Sequence, residues 1–393
     1  MSVSFWQRSP HSSTIQTDVV VIGAGIAGIS AALHLQRRGK RVTMIDAGHI
    51  GAGASTRNAG FLMRGCADNY TSAIAQFGRP RAQALWKLTE DNLTGLLREG
   101  VGALPGTRRV PSVLVALEAR EEAQLQASAK LLHEDGFDAS LLHAQSLREA
   151  DQGFDSLWRG GHVRAALVNP NDAACHSREV IEHLASRFVG QIITHDEVFS
   201  IENDAASVLV RSRKHLLRAQ HVLLCTNAYG PRLVPSLSGK VQPNRGQMFA
   251  CRPANVSLAA SYYLNEGHEY IRQTADGTIL VGGCRAMFES DERTTLEEPT
   301  VQVQAALEAF VRRVLALPAS EPLNITARWA GLMGFSQTGL PIIQHVGTLE
   351  NPAAPVWFCG GFTGHGMSMA YETTRLAVDE MLDGKASIFS QLP

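Results

Sequence analysis

The period of the apolar positions changes repeatedly along this chain, and the changes mark its elements. TDVVVIG (Thr17 to Gly23) is a β-branched run too short for a helix, whereas GIAGISAALHLQRRG, ending at Gly39, spaces its apolar residues as a helix does. RVTMID (Arg41 to Asp46) returns to the strand pattern. Together these form one βαβ unit of about thirty residues, which opens a parallel sheet.

From Tyr70 to Arg98 the spacing predicts a helix, which LPGTRRVPS breaks; SVLVALEA then reads as a strand leading into an amphipathic helix through Leu132. Asn169-Pro170-Asn171-Asp172 reads as the start of a helix reaching about Phe188. GQIITHDEVFSIE and ASVLVRS read as antiparallel strands, and HVLLCTNAYG (His221 to Gly230) as a second buried strand ending at a turn. Between Val241 and Gly283 strands dominate, with a hairpin turn at Ala275-Asp276-Gly277. A helix from about Thr300 to Leu317 follows, then strands in ITARWAGLM and PVWFCGG and a last helix ending near Gly384.

Strand-turn-helix units of the nucleotide-binding type thus stand at the start, near the middle and at the end of the chain, with strand-rich material between. The expected fold is α/β: a Rossmann-like domain of residues 15–85, 150–230 and 325–393, interleaved with an α+β domain, 86–149 and 231–324, built on a mixed, largely antiparallel sheet. A length of 393 residues with 45% hydrophobic content can fill both cores.

Charge narrows the partners. A formal net charge of −1 and a pI near 6.9 give no long-range field for nucleic acid or an anionic membrane, which points to a small-molecule partner. Six scattered cysteines form no CxxC pair and no zinc spacing and read as reduced thiols. The start, MSVSFWQRSPHSST, lacks a basic segment followed by an apolar run, and no stretch approaches the roughly 18 apolar residues of a membrane span. A cytoplasmic location without integral membrane association is the expectation.

Gly23, Gly25 and Gly28 stand as GxGxxG between a strand and a helix. In that context the first glycine permits a tight turn, the second admits a pyrophosphate to the backbone, and the third lets helix and strand approach. The N–H groups opening the helix, at Ile26 and Ala27, then face the phosphates. Asp46 lies about twenty residues on, where a carboxylate accepts hydrogen bonds from a ribose hydroxyl. Dinucleotide binding follows, with NAD and FAD both open at this point.

Further motifs separate the two. GAGASTRNAGF after Asp46, VQPNRGQM, YIRQTADGTILVGG, GLMGFSQTGLPII and GGFTGHGMSMA, in that order, resemble the D-amino-acid oxidase superfamily of FAD-dependent oxidoreductases, which includes glycine oxidase, sarcosine oxidase and γ-glutamylputrescine oxidase. The resemblance runs from about Asp18 to Met381. It implies that Ser55, Thr56, Arg57, Asn58 and Gly60 lie against the pyrophosphate and isoalloxazine, that the Val198 backbone meets the adenine, and that Cys225, Thr226 and Asn227 form a second strand-end turn near the dinucleotide. It also implies a substrate side drawn from Arg64, Arg245, Tyr262, Tyr263, Tyr270, Arg272, Trp329 and Met333, with Arg64 on a substrate carboxylate and Tyr270 and His365 as further positioning candidates.

Three departures from the family pattern bear on the substrate. Met333 stands where glycine oxidase-like members carry a carboxylate-binding arginine. Leu280 resembles the place of a lysine that helps oxygen accept electrons. No cysteine lies near Gly331, so FAD is expected to be held noncovalently.

The implied reaction is oxidation of the C–N bond of an amine or amino acid, by hydride transfer to flavin N5, with hydrolysis of the imine and oxygen as acceptor. A dehydrogenase passing electrons to a quinone or another carrier is the alternative, and a flavin-binding assembly protein with vestigial activity is a third reading. Gly364, His365, Gly366 and Met367, at the start of the last helix, are expected beside the flavin ring, where helix N–H groups suit the negative charge that reduction creates.

Overall fold

Val19, Val20 and Val21 have no exposed surface, which follows from a strand covered on both faces. A computed structural model of the protein describes residues 14–66, 68–144, 146, 155–204 and 207–389. The arm before residue 14 and the domain boundary expected at 150 lie outside them. The chain divides into two compact units, Met1–Thr56, Ser177–Asn244 and Leu332–Pro393 as one, Arg57–His176 and Arg245–Gly331 as the other.

Residues 57–85, 155–176 and 325–331 therefore belong with the second unit, not with the nucleotide-type segments to which the sequence pattern assigned them, and 231–244 belong with the first. Their pairing explains it. Phe61–Leu62 pairs antiparallel with Ala173–Ala174, which also pairs with Arg108–Arg109, and the Thr71 amide donates to Ser128 Oγ in the helix Ala119–Glu134.

In the first unit, four parallel strands lie side by side in the order Val42–Ile45, Thr14–Ile22, Leu216–Leu224 and Val356–Gly360. Ile22 is in register with both Ile45 and Leu224, and Leu224 with Phe358, so three strands end at one level before their turns. Gln191–Ile193 extends the parallel edge beyond Val42–Ile45. Of GQIITHDEVFSIE, expected with ASVLVRS as antiparallel strands, only Val198–Asp204 pairs antiparallel, with Ser207–Ser212. The helix Ile26–Arg37 is buried from Ile26 to Leu35, and it is tied to the helix Gly366–Asp383, where His34 Nε2 donates to the Tyr371 carbonyl (2.9 Å) and Arg37 Nη1 to the Tyr371 hydroxyl (2.8 Å).

The second unit is built on an eight-stranded sheet in the order Ile325–Ser336, Val241–Cys251, Ile279–Gly282, Glu269–Gln273, Ser261–Leu264, Ser112–Ala116, Ala165–Asn169, Ser140–His143. The pairing of Ser261–Leu264 with Ser112–Ala116 is parallel and that of its neighbours antiparallel. One face packs Phe249, Tyr262, Ile271 and Val281 against Leu307, Phe310 and Val311 of the helix Val301–Val314. Among the described residues no helix is long and apolar enough to cross a membrane.

Two local expectations are corrected. The helical stretch from Tyr70 to Arg98 is two helices, Tyr70–Phe77 and Arg79–Arg98, because Gly78 adopts φ +81° and Pro80 follows it. Asn169 to Asp172 starts no helix: Asn169 ends a strand opposite Ser112, the Asp172 carboxylate accepts from the Arg64 amide and the Ser112 hydroxyl, and the helix begins only at Ser177. Burial pushes the Asp172 carboxyl up to about 6 despite those donors.

Beneath the sheet, Arg245 and Glu292 form a bidentate pair with side chains 5% and 1% exposed, and Gln247 donates to the same carboxylate. Glu292→Ala leaves that guanidinium buried and unpaired. We expect it to cost about 3–5 kcal/mol, read as a lower urea midpoint; an unchanged midpoint would show that the pair carries no stability.

Candidate functional site

The turn after Thr14–Ile22 has no room for side chains. A Cβ on Gly28 would collide with the Gly23 carbonyl oxygen, one on Gly23 would stand 2.6 Å from the Cys225 carbonyl oxygen, and one on Gly25 would stand 2.7 Å from Ser55 Oγ. Gly25 caps the helix without a side-chain bond. The Ile26 amide donates to Ser55 Oγ (2.9 Å), while the Ala27 and Gly28 amides have no partner among the described residues. Unpaired N–H groups at the start of a buried helix fit a pyrophosphate.

Asp46 stands beside this turn. Its Oδ2 accepts from the Ala24 amide and its Oδ1 from the Gly48 amide, each at 2.7 Å. Both oxygens retain acceptor capacity for ribose hydroxyls, and the two bonds fix the carboxylate's direction. The His195 amide donates to the Gly48 carbonyl and the Asp196 amide to the Asp46 carbonyl, which brings the segment leading to Val198 next to the acid. Thr56, on the turn Ala54–Thr56, donates its hydroxyl to the Gly51 carbonyl (2.7 Å).

Two more turns lie at the same sheet edge. Thr226 Oγ1 is buried without a hydrogen-bond partner, an orphan that a ligand atom would satisfy. Asn227, at φ +43°, accepts from the Gly361 amide through Oδ1 (3.0 Å), and a Cβ on Gly334 would stand 2.5 Å from that oxygen. The third turn carries positive φ at Gly361, Thr363 and Gly364, after which the helix starts at Gly366 with His365 as an N-cap that makes no side-chain cap bond. Met333 Sδ lies 3.4 Å from a Cβ position on Gly364. Sequence reasoning missed Gly334 and Thr363, whose roles depend on a contact far along the chain and on a backbone angle that threonine rarely adopts.

In the second unit the expected residues separate into structural and available groups. Arg57 donates from Nη1 to the Ala330 carbonyl (2.9 Å) and lies 3.3 Å from Glu297, while its own carbonyl accepts from Trp329 Nε1 (3.0 Å). Asn58 Oδ1 accepts from the Gly60 amide. Arg64, expected on a substrate carboxylate, is buried in internal bonds: Glu90 at 3.0 Å, Asn169 Oδ1 at 2.8 Å and the Asp138 carbonyl. Arg245 holds Glu292, and the Tyr262 hydroxyl holds Asp155. These three arginine and tyrosine side chains serve the fold.

Tyr263 and Tyr270 are different. They lie on the sheet face opposite the helix-covered core, with Phe61, Met63, Met248, Leu280 and Trp329, and their ring centroids are 5.8 Å apart. Neither hydroxyl has a partner among the described residues. Gly282, in register with Tyr270, makes room for its ring, since a Cβ there would collide with it. Burial pushes the Tyr270 phenol up to about 12 and raises that of Tyr263 as well.

A parallel sheet that ends in a GxGxxG turn, a ribose-binding acid and a second glycine turn defines a dinucleotide-dependent protein. Comparison with known proteins is more specific. The chain belongs to the family described as FAD dependent oxidoreductase (DAO), whose model matches residues 18–380, and its cofactor is FAD. It is 25% identical to gamma-glutamylputrescine oxidoreductase of Escherichia coli over 96% of this chain and 86% of that protein. Its fold is shared with L-proline dehydrogenase from P. horikoshii (TM-score 0.77, 18% identity, 96% of both chains) and with glycine oxidase from Geobacillus kaustophilus (TM-score 0.76, 19% identity, 96% of this chain and 97% of that one).

Two outcomes follow from the geometry. Gly25→Val, whose side chain would meet Ser55 Oγ, is expected to abolish FAD retention while far-UV circular dichroism stays native; a yellow variant would show that FAD does not approach this turn. Because a raised pKa keeps a phenol neutral below it, Tyr270→Phe is expected to leave the tyrosinate absorbance titration unchanged up to about pH 11. A lost step below that pH would place Tyr270 in water.

Proposed function

We propose that this FAD-dependent oxidoreductase oxidises the C–N bond of an amine or amino acid to an imine, which water hydrolyses, with oxygen as electron acceptor. The observation that carries the reading is the alignment of Ile22, Leu224 and Phe358, which sets the GxGxxG turn and the Gly360 to Gly366 turn at one sheet edge. The names of the relatives, gamma-glutamylputrescine oxidoreductase among them, support the amine class.

FAD supplies the hydride acceptor when bound. The chain's own groups have separable tasks in this reading: Gly23, Gly25, Ile26, Ala27, Gly28, Ser55 and Thr56 take the pyrophosphate, Asp46 the adenosine ribose, and the Val198 backbone the adenine. Thr226, Asn227, Arg57, Asn58 and Gly60 adjoin the rest of the cofactor, held without a covalent bond. Gly364, His365, Gly366 and Met367 open a helix with no acidic residue in its first turn, so nothing there opposes developing negative charge. That dipole contributes about 0.3–1 kcal/mol, and up to about 2 where partly buried. Tyr270 presents a neutral hydroxyl to the substrate, and His365 contacts the cofactor.

A dehydrogenase reading is favoured by Leu280, which packs in the apolar group with Met248 and Tyr270 and brings no cation for oxygen chemistry. One experiment addresses both. Purified holoenzyme is screened anaerobically against amines and amino acids for loss of flavin absorbance, and air is then admitted. Bleaching by at least one compound, with rapid recovery and peroxide formation, is expected; recovery only with a quinone establishes the dehydrogenase, and no bleaching across the set removes the reading.

A further inference from the structure

We infer that His34 is a positioning residue for the flavin. Its bond to the Tyr371 carbonyl ties the helix Ile26–Arg37 to the helix Gly366–Asp383, and so holds the start of the second helix where it stabilises reduced FAD. This role rests on the placement of the flavin ring at Gly364 to Met367 proposed above, and adds to it a control over the reduction potential.

The two helices run in the same direction. His34 and Arg37 meet Tyr371, and Arg38 reaches further along the second helix to Asp379 (3.0 Å) and Asp383 (2.7 Å). Both helices therefore begin at the same end, one after the GxGxxG turn and the other after the Gly360 to Gly366 turn. At 1.5 Å per residue, His34 stands about 12 Å from the start of its helix and Tyr371 about 8 Å from the start of the other. Dipoles aligned side by side repel, and Asp379 and Asp383 in the last turns of a helix oppose its dipole further. Arg38 offsets part of that cost from the neighbouring helix, which shows that the pair is held together by ties across it.

His34 supplies the buried tie. It is 7% exposed, its ring meets that of Tyr371 edge-on with centroids 4.5 Å apart, and because a carbonyl only accepts, Nε2 carries a proton. The Arg38 to Asp383 pair lies in water, with side chains 39% and 47% exposed, and exposed pairs of that kind contribute little. Hydroxyls on the two helices do not replace the imidazole. Ser30, one turn before His34 on the same helix face, and Thr373 are fully buried with no partner for either hydroxyl, and Thr374 Oγ1 turns back to the Ala370 (2.8 Å) and Tyr371 (3.0 Å) carbonyls of its own helix. Without the His34 donor the Tyr371 carbonyl loses its partner on the first helix, and the two dipoles are free to part. Because a helix dipole acts mainly within its first turn, a small retreat of the second helix is felt by a charge placed at its start.

The test compares FAD-loaded wild type with His34→Leu, which keeps bulk without the donor, and His34→Gln, which keeps a donor. The midpoint potential and visible spectrum of the bound flavin are measured, together with the melting temperature. We expect His34→Leu to make the potential more negative by about 30 mV, a roughly 10-fold loss of preference for reduced flavin over two electrons, with His34→Gln near wild type. A residue that served the fold alone would lower the melting temperature and leave potential and spectrum unchanged, and that result overturns the inference, as does an equal shift in His34→Gln. Should His34→Leu fail to fold, His34→Asn, whose shorter amide does not reach Tyr371, is measured with the same expectation. His365→Asp, which adds a carboxylate where the second helix starts, separates the two readings. It is expected to make the potential more negative. If it changes nothing, the ring does not adjoin this turn and the placement fails with the inference; a shift there with none in His34→Leu removes the inference alone.

Discussion

Parallel pairing in register is the constraint on which the first unit depends. A parallel strand cannot be reached by a tight hairpin, so the chain must leave the sheet and return between Thr14–Ile22, Leu216–Leu224 and Val356–Gly360. Each return ends at the same edge, and each strand end must turn there in little space. Gly23 meets the Cys225 carbonyl and Asn227 meets the Gly361 amide because neighbouring strands bring their turns within contact distance. The long connections between the strands are where the chain builds its second unit, so the interleaving follows from the sheet's connectivity.

The second unit is organised by how it treats buried charge. Removing a guanidinium from water is costly unless it gains good partners, and the partners reveal the task. Arg245 and Arg64 each gain a carboxylate, so their charge is settled within the fold. Arg272 gains two carbonyls, which hold its direction without neutralising it. An arginine in a sequence motif thus has no fixed meaning until the geometry of its partners is known.

Those partners explain what was legible in the sequence. The GxGxxG turn, the Asp46 position and the hairpin at Gly277 were readable because each depends on residues within about one βαβ unit or one turn. Arg64 was misleading because Glu90, Asp138 and Asn169 approach it from three separate segments. The Gly78 break was visible as a glycine beside Arg79 and Pro80 but was outweighed by apolar spacing on both sides. Asn169 to Asp172 carried the polar residues of a helix cap, and the strand partner Ser112 took them instead.

The unit boundaries were hidden for a related reason. Phe61–Leu62 is too short to show a period, and its assignment is decided by pairing with Ala173–Ala174, more than a hundred residues away. That short pairing matters beyond its length, because the Ala59 and Cys175 carbonyls on either side of it are the two acceptors that hold Arg272. The backbone of a two-residue strand thereby orients a guanidinium on another sheet. Sequence periodicity reports which side chains share a face, but it carries no record of where a carbonyl points, so this kind of positioning is found only once the chain is folded.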